Sequence, residues 1–183
     1  MRRVAARSEV IGAAVIYIMS VLLHYVYDLS GGSALGMVFG AVNESVWEHV
    51  KIFSISYMGW AMLQLLYLRL PFKKYAVSKC IGLYALMGSM IGFYYIYTAI
   101  VETNIPLVDI ISSLVFVIAS QALSFVLETG ENSLGELFVP AVLMVFVYYL
   151  MFLSFTAFPP RLELFRDPTD GSYGINSGLA GQR

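Results

Sequence analysis

Two short stretches hold the side chains with usable chemistry. The first is a stripe, Tyr17, Ser20, His24 and Asp28, whose three- and four-residue spacing puts all four on one face of a helix. The second is VNESVWEHVK, residues 42–51, which sets two glutamates, a histidine and a lysine in a mostly apolar chain. A carboxylate beside a histidine can orient the imidazole for metal binding or proton transfer. Two histidines with carboxylates can hold a zinc and leave a position open for water. The catalytic candidates are therefore His24, Asp28, Glu44, Glu48, His49 and Lys51. His24, His49 and Asp28 are the candidate ligands of a divalent metal such as zinc, and Lys51 is the candidate holder of an anionic headgroup.

The same residues also have a purely structural reading. Ser45 and Glu48 have the S-x-x-E spacing of a capping box, with Asn43 a second cap candidate, so a helix should start here. Lys51 could snorkel or pair with Glu48, and Asp28 could end a helix in water. Trp47 fits an interfacial anchor. On the helical period Glu44, Glu48 and Lys51 fall within about 60° of one another, and His49 points elsewhere. A site using His49 must therefore recruit the first helix through His24 and Asp28. Glu102 and Asp109 should lie at the same end.

Positioning these groups is the task of apolar helices. Of 183 residues 59% are hydrophobic and 13% charged, too oily for one soluble core, so an integral membrane protein is expected. The net charge of -1 leaves no basic face for nucleic acid. Crossing the hydrocarbon takes about 20 apolar residues as helix. The chain reads as all-α, a polytopic transmembrane bundle with five spans at 9–28, 45–69, 78–101, 106–127 and 136–158. Residues 1–160 would form the single bundle and 161–183 an external tail. No small-x-small cleavage site follows the first span, so it reads as a retained helix rather than a signal peptide.

Orientation follows from the basic residues. Arg2, Arg3 and Arg7 at the N-terminus and Arg69, Lys73, Lys74 and Lys79 in one link predict a cytoplasmic N-terminus. The His24 and VNESVWEHVK end is then external. The Gly-rich link LSGGSALGMVFGA reads as a re-entrant or interface-hugging loop. In the tail, Leu162, Leu164, Phe165, Tyr173 and Ile175 could pack back on the helices, and NSGLAGQR, residues 176–183, reads as disordered. The lone Cys80 reads as a buried structural thiol. Gly88 and Gly92 form a GxxxG that permits close helix contact, in the core or in a homodimer.

HYVYDLSGG at 24–32, VNESVWEHVK at 42–51 and LFRDPTDGSYG at 164–174 together resemble an uncharacterised family of small polytopic membrane proteins from Gram-positive bacteria. The resemblance covers most of the chain and implies a polytopic fold in a bacterial plasma membrane. It implies no activity. NESVWEH alone is similar to the asparagine–glutamate–histidine stretch of the membrane hydrolase superfamily that includes alkaline ceramidases and progestin-type receptors. Those proteins have seven helices and a zinc site with a late HxxxH pair. This chain has five expected helices and 2 histidines, so the likeness stops at that stretch.

Three functions remain open. One is a membrane-embedded, metal-dependent hydrolase or transferase acting on a lipid or headgroup. Another is a small proton- or cation-coupled transporter. The third is a non-catalytic accessory protein with a docking surface. The expected partners are the lipid bilayer and a lipid or small-ion ligand, with a homodimer through Gly88 and Gly92.

Overall fold

The computed structural model describes residues 2–68 and 71–175. The tail end expected to be disordered, residues 176–183, and Arg69 of the expected basic link lie outside the described residues. The described chain is helical, with one isolated bridge between Arg166 and Tyr173.

Six α-helices follow in order: α1 (Arg2–Leu29), α2 (Ala34–Phe39), α3 (Val46–Leu65), α4 (Phe72–Val101), α5 (Pro106–Thr129) and α6 (Phe138–Ala157). A 3-10 turn (Leu134–Leu137) leads into α6, and another (Glu163–Phe165) opens the tail. Their ends have local causes. Ser45 caps α3 by accepting from the Glu48 amide at 3.4 Å. Pro106 occupies the first turn of α5, where its missing N–H costs nothing. α1 and α4 start six or seven residues before the expected spans. Charged residues such as Arg3 and Lys73 are good helix formers, and an apolar window cannot see them.

Among the described residues four helical segments are long and apolar enough to cross a membrane: Arg2–Leu29, Phe72–Val101, Pro106–Thr129 and Leu134–Ala157. They support a multi-pass membrane protein. Four of the five expected spans are so accounted for, and α3 is not among them. The reason is its position. It packs against α1 and α4, and twelve of its 20 residues are buried, including Glu48, Lys51, Ser54, Ser56 and Gln64. A helix wrapped in protein meets little lipid and can carry polar side chains. Around it, α1 packs on α5, α5 on α4, and α4 on α6. Ile16, Val50, Ile52, Leu83, Leu86 and Val117 fill the centre, while Leu22, Ile96 and Val139 point outward.

Three expectations change here. Lys79 is a buried residue of α4 rather than part of a basic link, and it pairs with Glu9 of α1 at 2.7 Å. Trp47 is no interfacial anchor. It is 4% exposed, stacked on Phe152 at 4.4 Å and covered by Phe165 of the tail at 4.9 Å. Gly88 and Gly92 do not serve the core, since no described residue lies within 4 Å of a Cβ at either position. Cys80 is buried as expected.

The Gly-rich link forms a tight return. Gly31 and Gly32 take φ of 66° and 75°, where a side chain would strain the backbone. Ser33 then caps the six-residue α2, which packs on α1, α3 and α6.

Candidate functional site

Three of the sequence candidates converge at one end of the bundle. His24 comes from the penultimate turn of α1 and His49 from the first turn of α3. Glu44 sits between them, in the loop just before the Ser45 cap. Its Oε2 is 3.5 Å from His24 Nε2 and 3.6 Å from His49 Nε2. The imidazole centroids are 5.0 Å apart in an edge-on pair. One ligand atom from each residue lies within 4.8 Å of the others, close enough to share one metal ion.

The grouping differs from the helical-wheel reading, which joined Glu44 to Glu48 and Lys51. Glu44 precedes the helix, so the helical period does not govern it. Asp28 also drops out of the ligand set: it is exposed and lies outside the three-residue group. Glu44 takes its place.

The tautomer of His49 follows from geometry. Its Nδ1 lies 3.0 Å from the Ser45 carbonyl oxygen, which can only accept. Nδ1 therefore donates that bond, and Nε2 is the ring nitrogen that faces Glu44. The His24 imidazole beside Glu44 holds its carboxyl below the ordinary 4.5, with His49 adding to this and burial opposing it. A carboxylate oxygen and an imidazole nitrogen thus face one another, and a cation between them, proton or metal, would bind both.

The C-terminal tail holds Glu44 in place. The Glu44 amide donates to Asp167 Oδ2 at 3.1 Å. Asn43 Nδ2 donates to the Gly174 carbonyl at 2.9 Å, while Asn43 Oδ1 accepts from the Ser45 amide. Asp167 Oδ1 accepts from the Thr169 amide at 2.8 Å and its hydroxyl at 2.5 Å. The RDPTDGSYG segment is therefore a folded brace. Phe165 is buried on Trp47 and Phe155, and Leu164 and Tyr173 pack beside the core. Leu162 and Ile175, also expected to pack, are exposed.

The three residues border a cavity of about 530 Å³. Ile52, Phe53, Met90 and Phe93 make apolar wall, and Tyr17, Ser20, Ser112, Asp109 and Thr169 add polar groups. Tyr17, Ser20 and His24 thus share a face as expected. Asp109, the second carboxylate of the cavity, accepts from Tyr97 Oη at 2.7 Å.

Glu48 and Lys51 are not among the cavity's lining residues. They form a buried pair, Nζ to Oε2 2.5 Å, with side chains 1–2% exposed. Lys51 also donates to the Met37 carbonyl at 3.1 Å and Thr156 Oγ1 at 3.0 Å. Thr156 donates to Glu48 Oε1 at 2.8 Å, and the Val42 amide donates to Glu48 Oε2 at 3.0 Å. With its donors used internally, Lys51 has no access to a headgroup. The pair ties α2, α3 and α6 together. Thr156 and the bracing role of Asp167 were not foreseen from spacing, because both act across more than 100 residues of chain.

A family model matches residues 3–175, nearly all of the described chain. The chain belongs to the family of unknown function DUF6512. No curated protein and no solved structure matches it. Within DUF6512 the candidate site thus rests on its own geometry. The matched region takes in His24, Glu44, His49 and the Asp167 brace together.

Proposed function

We propose that this DUF6512 protein is a membrane-embedded, metal-dependent hydrolase or transferase acting on a lipid or its headgroup. One observation carries the reading. His49 Nε2, His24 Nε2 and the Glu44 carboxylate converge in the lining of a largely apolar cavity. Two imidazoles and one carboxylate are a zinc ligand set that leaves a position open. A bound divalent ion would supply Lewis acidity and activate water for attack on an ester. Asp109, on the cavity wall, is the candidate base, with Tyr97 orienting it. The apolar wall of Ile52, Phe53, Met90 and Phe93 suits an acyl chain, and Ser112 and Thr169 suit a polar head.

The reading includes a bacterial plasma membrane, of Gram-positive type, with the N-terminus inside, as Arg2, Arg3, Arg7, Lys73 and Lys74 ask. α3 then crosses as a fifth span sheathed by the other helices, and the His24 end is external. The open face of α4 at Gly88 and Gly92 suits a second copy of the chain. A proton- or cation-coupled transporter is the second reading, favoured by a further buried charge pair, Glu9–Lys79, elsewhere in the bundle. A docking role for the external surface needs no chemistry.

Metal analysis of purified protein is the test. One zinc per chain is expected, lost in His24→Ala, His49→Ala and Glu44→Ala and kept in Asp28→Ala. Stoichiometric metal in all four variants, or none in the wild type after zinc loading, would remove the enzyme reading.

A further inference from the structure

The bundle holds a second polar cluster, fifteen residues along α1 from His24, or about 22 Å at 1.5 Å per residue. Glu9 of α1 grips Lys79 of α4 with both oxygens, at 2.7 and 2.8 Å. Lys79 also donates to Ser124 Oγ of α5 at 3.2 Å and sits 5.7 and 5.6 Å from the ring centres of Tyr57 and Tyr75. Gln64 of α3 donates to Glu9 at 2.8 Å. The ammonium and the Glu9 carboxylate are thereby balanced and well bonded.

Glu128, one turn beyond Ser124 on α5, is different. It is 4% exposed, and neither carboxylate oxygen has a hydrogen-bond partner among the described residues. Nearby on the same helix the buried Gln121 Nε2 lacks a partner too. The cluster therefore has two carboxylates and one ammonium, and the ammonium is already taken. A charged carboxylate out of water with no donor is strongly disfavoured, and it takes up a proton instead. A divalent cation would leave excess positive charge beside the Lys79 ammonium, whereas a single proton neutralises the carboxylate and leaves none.

We propose that Glu128 is a proton-binding site, and that Glu9, Lys79 and Glu128 form a unit in which two carboxylates share one ammonium and one proton. Loss of the proton from Glu128 would leave it competing with Glu9 for Lys79, so release is coupled to a rearrangement between α1, α4 and α5. The titratable groups facing Glu128 are Glu9 from α1, Tyr57 from α3, and Tyr75 and Lys79 from α4. The site stands apart from the His24–Glu44–His49 centre and does not rest on it.

Infrared spectroscopy of the full chain in lipid nanodiscs tests this. At neutral pH the wild type should show the carbonyl stretch of a protonated carboxylic acid, shifted by carbon-13 labelling of glutamate. Glu128→Gln should abolish that band, and His24→Ala should leave it unchanged. Glu9→Gln should abolish it too, because Lys79 is then free to pair with Glu128. If Glu128→Gln does not fold, Glu128→Asp keeps the acid and should move the band out of the labelled glutamate set. No protonated glutamate in the wild type, or a band that survives unchanged in the Glu128 variant, overturns the proposal.

Discussion

The Glu44 amide donates to Asp167 Oδ2 at 3.1 Å, a bond spanning 123 residues that sets the carboxylate between two imidazoles. Glu44 has no helix to hold it, and its side chain is about half exposed. The tail supplies the rigidity that the loop lacks. Ligand geometry in such a site depends on partners one shell out.

Asp167→Ala should therefore weaken metal binding without touching a ligand. Loss of such an outer partner costs about 10–100-fold in affinity. Competition against a zinc chelator would measure it. Unchanged affinity would show that Glu44 holds its place unaided.

Acid should release the tail only late. Burial pushes the Asp167 carboxyl up, but the Thr169 hydroxyl, the Glu44 amide and the Thr169 amide together hold it below its ordinary 3.8. A carboxylate with a lowered folded value stabilises fully above its unfolded value, and this is lost as pH falls through the folded one. Tail docking should thus persist down to 3.8 and fail below it. Trp47 fluorescence reports docking, because Phe165 covers that indole. In Asp167→Asn the acid step should disappear.

Lys51→Met should strongly destabilise the bundle. It strands Glu48, 2% exposed, without its counter-charge. Breaking a buried pair from one side costs about 3–5 kcal/mol. Adding Glu48→Gln in the same chain should recover part of the loss, because the stranded charge is gone. Unfolding in denaturing detergent would compare the variants. A Lys51→Met protein as stable as wild type would mean that Glu48 finds another partner.

Two glycines should respond oppositely to Ala. A Cβ at Gly12 would stand 2.1 Å from Trp60 Nε1 and 2.4 Å from Gln121 Nε2. Overpacking of this kind costs about 1–3 kcal/mol. At Gly88 a Cβ meets nothing within 4 Å. Gly88→Ala should leave monomer stability unchanged. Cross-linking in membranes would then show whether it loosens a dimer, and an unaltered dimer would remove α4 as its interface.

Much of the fold was legible in the chain because it depends on local properties. Runs of apolar residues of membrane length must be helical in lipid, whose core offers backbone groups no other partner. The Ser45 cap and the Gly31–Gly32 turn are equally local, as each is set by the residue's own conformational preference. His24 and His49 could be named as candidates from residue type and position. The pairing of His24 with Asp28 was read from helical spacing, which says which side chains share a face and not which ones meet.

Contacts across the chain needed the tertiary structure. Glu44 rather than Asp28 completes the histidine pair because a loop before a helix escapes the helical period. Trp47 is buried because Phe165, 118 residues later (165 − 47), folds over it. Lys79 looked like a solvated loop charge until α4 extended back to Phe72 and brought it against Glu9. By itself the sequence determined which segments are helices and which residue types are available for chemistry, since propensity and hydropathy act within a turn or two. Which charge meets which was decided only when α1, α3, α5 and the tail packed together, because a carboxylate's partner is whatever the fold brings within about 3 Å.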